Sequence, residues 1–300
     1  MRGPAVEASL IVRHTQAPGG ALMIHSKPTP SRPPLKTLGL VGVGAIGRML
    51  LQALSQGKLP VTLAGIHTRT PERALSALAG FTPPPPILPL EELIFRSDLV
   101  VEAAGGPTVV DLARRCFAAG KDLLVISVGA LLDHPEVLEL ARTSGCRLLL
   151  PSGAIAGIDG IKSACSGRVD RVHITTRKPP RGLSGAPYLV QRGLSLEGLV
   201  SETEVFNGSV REACKGFPDN VNVSATISLA GLGPDRTTIR ILAVPGLDRN
   251  HHMVEVEGEF GYFSMNIRNI PSENPKTGRL TALSMIRAIA DAVDPVRIGN

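Results

Sequence analysis

The spacing of apolar residues divides the chain into regions of different texture. From Lys36 to about Leu150, short apolar runs alternate with stretches in which apolar residues recur every three or four positions. Leu38, Leu40 and Val41 form the first run and Val61 to Ile66 the second. Leu99 to Ala103, Leu123 to Val128 and Arg147 to Leu150 supply the others. Between them Ile46, Met49, Leu50 and Leu54 line one side of a helix. Pro71 to Leu78 follows with Thr70 as its cap, then Val109 to Ala119 and a further helix starting near His134. Phe81 to Pro89 is a proline-heavy loop. Buried strands alternating with amphipathic helices predict an α/β domain on a parallel, doubly wound sheet.

After Pro151 the period changes. Val172 to Thr176, Thr238 to Val244 and Met253 to Arg268 read as longer strands, partly alternating, as in a sheet with one solvated face. Asn220 to Leu229 is apolar and rich in small residues, which suits a helix. Asn274-Pro275-Lys276-Thr277 opens a last helix, with Asn274 as cap and Pro275 in the first position. Leu280, Leu283, Ile286, Ile289 and Val293 give that helix its apolar face. The expected organisation is a first domain over 36–150 and a smaller α+β domain over 151–300 ending in the helix. Residues 1–35 hold Arg2, Arg13, Lys27 and Arg32 against one acid, Glu7, and end rich in proline. They predict a disordered extension, and their scarcity of acids also suits an organelle transit peptide. Met23 is an alternative start.

Composition narrows the function. A net charge of +6 with no dense Lys/Arg stripe fits an anionic small molecule better than nucleic acid. Trp is absent and aromatics are 3%, which leaves no stacking platform for single strands. No apolar run is long enough to span a membrane. Cys116, Cys146, Cys165 and Cys214 lack CxxC spacing and neighbouring histidines, so structural zinc and a disulfide framework are disfavoured. Reduced thiols in a cytoplasmic protein, with no metal site, are the expectation.

The candidate chemistry starts at Gly42-Val43-Gly44-Ala45-Ile46-Gly47. A G-x-G-x-x-G run between a strand and a helix is the dinucleotide-binding pattern of the Rossmann fold. Gly42 makes the turn, Gly44 admits a pyrophosphate to the backbone, and Gly47 lets the helix pack on the strand. Ala45 and Ile46 then present first-turn N–H groups to the phosphates. The end of the second strand, Ile66-His67-Thr68-Arg69-Thr70, has no acid to hold a ribose diol. Thr68 and Arg69 suit a 2′-phosphate instead, so NADP is favoured, with NAD not excluded. Ala104 and its neighbours Glu102 to Gly106, with Ser127 to Ala130, end parallel strands and leave room for a flat ring.

With the second domain in view the chain resembles the L-aspartate dehydrogenase family from about Lys36 to Val293. The segments carrying the resemblance include Asp98-Leu99-Val100-Val101-Glu102-Ala103-Ala104-Gly105 and Leu150-Pro151-Ser152-Gly153-Ala154-Ile155-Ala156-Gly157. Thr176-Arg177-Lys178-Pro179-Pro180, Phe217-Pro218-Asp219-Asn220-Val221-Asn222-Val223, Asn250-His251-His252 and Asn274-Pro275-Lys276-Thr277 continue it in order. The resemblance implies reversible NAD(P)-dependent conversion of L-aspartate to iminoaspartate. That imine hydrolyses to oxaloacetate and ammonia or feeds quinolinate and hence NAD synthesis. It also implies a catalytic histidine at His252 and nicotinamide-side contacts from Ala156 and Asn222. Alternatives remain another two-domain oxidoreductase, homoserine-dehydrogenase-like or dihydrodipicolinate-reductase-like, and a non-catalytic nicotinamide-binding regulator.

Period-two geometry independently separates the two histidines. His252 shares a side with Val254, Val256 and Phe260, whereas His251 aligns with Glu255, Glu257 and Glu259 and is expected in solvent. A dicarboxylate needs converging cations. Lys276, at a helix start with Thr277 beside it, is the first candidate, with Arg177, Lys178 and Lys215 behind it. A homodimer is the expected assembly, through an exposed face of the second sheet.

Overall fold

The computed structural model describes residues 35–218, 222–270 and 278–299. The extension before Leu35 and the Asn274–Thr277 element lie outside them. Leu35 itself is buried in the core.

The first half alternates as its pattern requires. In chain order it contains β1 (Thr37–Val41), α1 (Ala45–Ser55), β2 (Thr62–His67), α2 (Pro71–Ala77), α3 (Leu90–Arg96) and β3 (Leu99–Glu102). Then come α4 (Val109–Ala118), β4 (Asp122–Val125), α5 (Pro135–Ser144) and β5 (Leu148–Leu149). The five strands pair in parallel in the order β2-β1-β3-β4-β5, giving the expected Rossmann-type sheet. Ile87, in the proline-rich loop, adds a single parallel bridge outside β2 at Ile66. The order reverses between β1 and β3, and the strand ends there open the crevice in which such sheets bind ligands.

The second half contains α6 (Ile158–Ala164), β6 (Val169–Lys178), α7 (Pro180–Leu183), α8 (Pro187–Gln191), β7 (Thr203–Ser209), α9 (Val210–Gly216) and α10 (Asn222–Ala230). It closes with β8 (Thr238–Ala243), β9 (Asn250–Gly258), β10 (Gly261–Asn269) and α11 (Arg279–Val293). Its mixed sheet runs β10-β9-β6-β8-β7, with β6 and β8 parallel and the other pairs antiparallel. The segment read as Met253 to Arg268 is a hairpin, β9 turning into β10 at Glu259-Phe260. Phe260 therefore leaves the strand face expected for it and is 44% exposed, against the ring of Phe263.

Strand alternation sorts the apolar side chains into two cores. Leu38, Leu40, Val101 and Leu124 face one side with Leu50, Leu51 and Ile66. Val41, Val100, Leu123 and Val125 face the other, in a core that continues into the second sheet through Val172, Ile174, Val254 and Val256. The last helix joins the first of these cores through Met285 and Ile289, alongside α1. It begins at Arg279 with Gly278 in extended conformation before it, four residues after the expected Pro275. Its buried side is Thr281, Ala282, Met285 and Ile289, so Leu283 faces solvent rather than the core.

Candidate active site

The parallel strand ends of the first sheet and the inner face of the second bound a cleft of about 810 Å³. Its first wall is the glycine turn. Gly42 has φ +97°, and a Cβ there would lie 2.5 Å from the Ala103 carbonyl oxygen. A Cβ on Gly47 would overlap the Gly42 carbonyl oxygen, so both glycines exist to pack strand, turn and helix together. Gly44 differs: a Cβ there meets no protein atom within 4 Å, and the residue lines the cleft with Ala45 and Ile46. The first turn of α1 carries no acid. A helix N-terminus with open space before it and no opposing charge fits a dinucleotide pyrophosphate. The β2 end is tied to this turn by a hydrogen bond from Gly42 N to His67 O, 2.9 Å. Beyond it lie half-buried Thr68, whose Oγ1 accepts from Thr70 N at 3.2 Å, and exposed Arg69.

A buried carboxylate shapes the second wall. Glu102, fully inaccessible at the end of β3, accepts hydrogen bonds from Ala104 N (2.8 Å), Gly105 N (2.7 Å), Ser127 N (3.0 Å) and Ser127 Oγ (3.1 Å). It thereby fixes the loops after β3 and β4, which line the cleft with Ala104, Gly105 and Ser127. Gly129 N, in the next turn, donates to Asn222 Oδ1 at 2.9 Å. That bond joins the two halves and leaves the Asn222 amide nitrogen to donate.

The third wall is the second sheet. β6 and β9 pair so that Thr176 opposes His252, and Val254 and Val256 continue the same buried face. Thr176 Oγ1 is 3.1 Å from His252 Nδ1, and Nε2 has no partner among the described residues. Burial first, then the charge of Lys178, push the imidazole down to about 3, so the ring is neutral across the ordinary pH range. Lys178 is 3% exposed, on the face of β6 that holds Thr176, and it lines the cleft with Asn250 and His252. His251, on the opposite face, is half-buried rather than in solvent. Burial and the Arg268 and Arg177 guanidiniums lower its pKa.

With this geometry in place, comparison with known proteins is decisive. The family described as aspartate dehydrogenase, C-terminal, matches residues 159–292, and the homoserine dehydrogenase NAD-binding domain matches residues 42–151. L-aspartate dehydrogenase of Methanosarcina mazei is 44% identical over 268 residues, 88% of this chain and 99% of its own. The chain belongs to the L-aspartate dehydrogenase family. Another member of that family, from Bradyrhizobium diazoefficiens, is 43% identical over 83% of this chain and 89% of its own. The crystal structure of aspartate dehydrogenase from Thermotoga maritima superposes with a TM-score of 0.65 at 27% identity, covering 88% of this chain and 99% of that one.

Of the residues singled out in the sequence, Gly44, Ala45, Ile46, Ala104, Asn222 and His252 line one cleft. Gly42 and Gly47 stand behind it. Ala156 is exposed and is not among the lining residues, whereas Pro151, Gly153 and Ala154 of the same loop are. Lys276 and Thr277 lie outside the described residues, although Gly278 and Thr281, at the start of α11, line the cleft. Arg177 pairs with Glu202 at 2.9 Å. Glu102, Asn250 and Thr281 were not singled out. For Glu102 the signal was available: an acid closing the otherwise apolar strand Leu99-Val100-Val101. Among the described residues no group of three or more His, Cys, Asp and Glu gathers to hold a metal, and no helix is long and apolar enough to cross a membrane.

Proposed function

We propose that this protein catalyses the reversible NAD(P)-dependent oxidative deamination of L-aspartate, with His252 as its acid–base residue. The observation that carries this reading is a buried, neutral imidazole held by Thr176 in the same cleft as the Gly44–Ile46 turn. Loss of hydride from the α-carbon requires a free nitrogen lone pair, so the substrate ammonium must first give up a proton. His252 accepts it at Nε2 while Nδ1–H donates to Thr176 Oγ1. In reverse the same nitrogen returns a proton to the leaving hydroxide of the carbinolamine. Gly44, Ala45 and Ile46 hold the pyrophosphate, Gly42 and Gly47 set the turn, and Ala104 and Asn222 border the nicotinamide. Hydride acceptance is the chemistry supplied by the nicotinamide when bound. Lys276 and Thr277 are assigned to the substrate carboxylates.

NADP is the favoured cofactor, supported by Thr68 and Arg69 at a β2 end that lacks an acid. A homodimer is supported by the outer face of the second sheet, where Tyr262, Ser264, Asn266 and Arg268 of β10 are exposed. The four free cysteines suit a cytoplasmic setting. The deciding experiment follows nicotinamide absorbance at mildly alkaline pH with L-aspartate and either NAD or NADP, with glutamate, alanine and homoserine as controls. Reduction with aspartate alone is expected. Turnover of homoserine but not aspartate would overturn the substrate assignment, and tight cofactor binding without any turnover would point to a regulator.

A further inference from the structure

We propose that Glu102 is a positioning residue for the nicotinamide half of the cofactor, acting through the loop after β4. The inference deepens the dinucleotide reading and rests on it. Glu102 closes β3, in register with Val125 of β4, and is fully buried. Burying a carboxylate is costly unless donors surround it. Here the donors come from two loops. Oε1 accepts from Ala104 N and Gly105 N of its own loop and from Ser127 Oγ of the next. Oε2 accepts from Ser127 N. One side chain thus sets the separation of the loops that follow β3 and β4.

Both loops line the cleft, through Gly105 and Gly106 on one side and Ser127 and Ala130 on the other. They also touch, since a Cβ on Gly106 would lie 3.5 Å from the Ala130 Cβ. Two residues after Ser127, Gly129 N donates to Asn222 Oδ1, so the loop after β4 carries a link to the second half as well. The glycine turn is held by other means. Gly42 N donates to His67 O at 2.9 Å and Ala103 N to Val41 O at 2.8 Å, backbone bonds in which the Glu102 side chain takes no part. The pyrophosphate end of a dinucleotide therefore has its own support, and Glu102 governs the opposite end.

The geometry requires two acceptor oxygens. Glutamine has the same shape but only one. With its oxygen kept on Ala104 N and Gly105 N, its amide nitrogen faces Ser127 N–H, donor against donor. Glu102→Gln thus releases the loop after β4 while the loop after β3 stays in place.

Binding rather than turnover tests this. Calorimetry compares NADPH with 2′-phospho-ADP-ribose, the same molecule without its nicotinamide. NADH and ADP-ribose, run alongside, give the ratio whichever cofactor the protein prefers. Glu102→Gln should bind the whole cofactor about tenfold more weakly, the worth of one lost charge-assisted bond, and the fragment within about twofold of wild type. At saturation its reduced-ring fluorescence should revert toward that of the free cofactor. Ser127→Ala removes one donor and keeps the backbone bond, so it leaves the test open should Glu102→Gln not fold. It should shift the same ratio by about threefold to tenfold. Equal losses for cofactor and fragment overturn the proposal and leave Glu102 a structural residue, as does unchanged cofactor affinity in both variants. Wild type that binds the whole cofactor no more tightly than the fragment overturns the nicotinamide reading itself, and the proposal with it.

Discussion

Thr176 Oγ1 stands 3.1 Å from His252 Nδ1, across the antiparallel pair formed by β6 and β9. The contact orients a ring that has no other hydrogen-bond partner among the described residues. In the proposed mechanism the hydrogen sits on Nδ1, donated to the threonine, and the imidazole presents a lone pair at Nε2. Replacing Thr176 by valine keeps the shape and removes the acceptor. We expect kcat to fall about tenfold, the worth of one such bond, with cofactor affinity unchanged. Steady-state kinetics with a fluorescence titration of the reduced cofactor would show whether the two quantities separate.

Loss of the ring itself has a larger effect. His252→Ala should lower turnover by about 10²- to 10⁴-fold, the usual contribution of a positioned acid–base group. NADP binding should stay within a few-fold. A variant retaining most of the wild-type rate would place the proton acceptor elsewhere.

The depressed pKa of His252 also links stability to pH. The folded value, pushed down to about 3 by burial and then by Lys178, lies below the unfolded value of about 6.5. The unfolded chain therefore binds a proton that the folded chain refuses. Stability is full above pH 6.5 and declines as pH falls toward the folded value. At pH 5 this one group costs about 2 kcal/mol. Urea unfolding of wild type and His252→Gln at about pH 7.5 and pH 5 should show a smaller acid loss in the variant. Parallel losses would refute the linkage.

The three glycines of the turn should respond differently to alanine. Gly44→Ala adds a methyl group where no protein atom lies within 4 Å, so its melting temperature should hold while cofactor affinity drops. Gly42→Ala combines φ +97° with a close approach to the Ala103 carbonyl oxygen, and Gly47→Ala meets the Gly42 carbonyl oxygen. Each of these two should lose about 1–3 kcal/mol of stability. Calorimetric melting beside cofactor titration distinguishes the two patterns.

Cofactor choice can be read from the β2 end. The double variant Thr68→Ala, Arg69→Ala should weaken NADP by about 10- to 100-fold, the range for charge-assisted hydrogen bonds, and leave NAD nearly unaffected. Equal losses for both cofactors would mean that these residues do not meet a 2′-phosphate.

Much of the first sheet was legible because its strands are short, apolar and punctuated by helices with clear periods. α3 was not, since it spans seven residues and buries only Leu93 and Ile94, too few to establish a period. β7 was hidden for a related reason: Thr203–Ser209 mixes Glu204 and Asn207 with Val205 and Phe206, and a register shift interrupts its pairing with β8. His252 was legible because Val254 and Val256 alternate with it. Lys178 stood as one cation among several until register placed it beside Thr176, because cross-strand partners are set by pairing rather than by proximity in sequence. Glu102 depends on four donors, of which Ser127 supplies two from 25 residues away.

The helix α11 follows every named strand of both sheets, yet Met285 and Ile289 complete the core that Leu38 and Leu40 begin. A nascent chain can pair its first strands early, but that core stays open until the turns of α11 have left the ribosome. The nucleotide-binding half thus matures only after the second sheet has been made, and a product truncated before α11 would expose the α1 face that α11 covers. Because the start of the same helix also lines the cleft through Gly278 and Thr281, one helix closes both the core and the cleft.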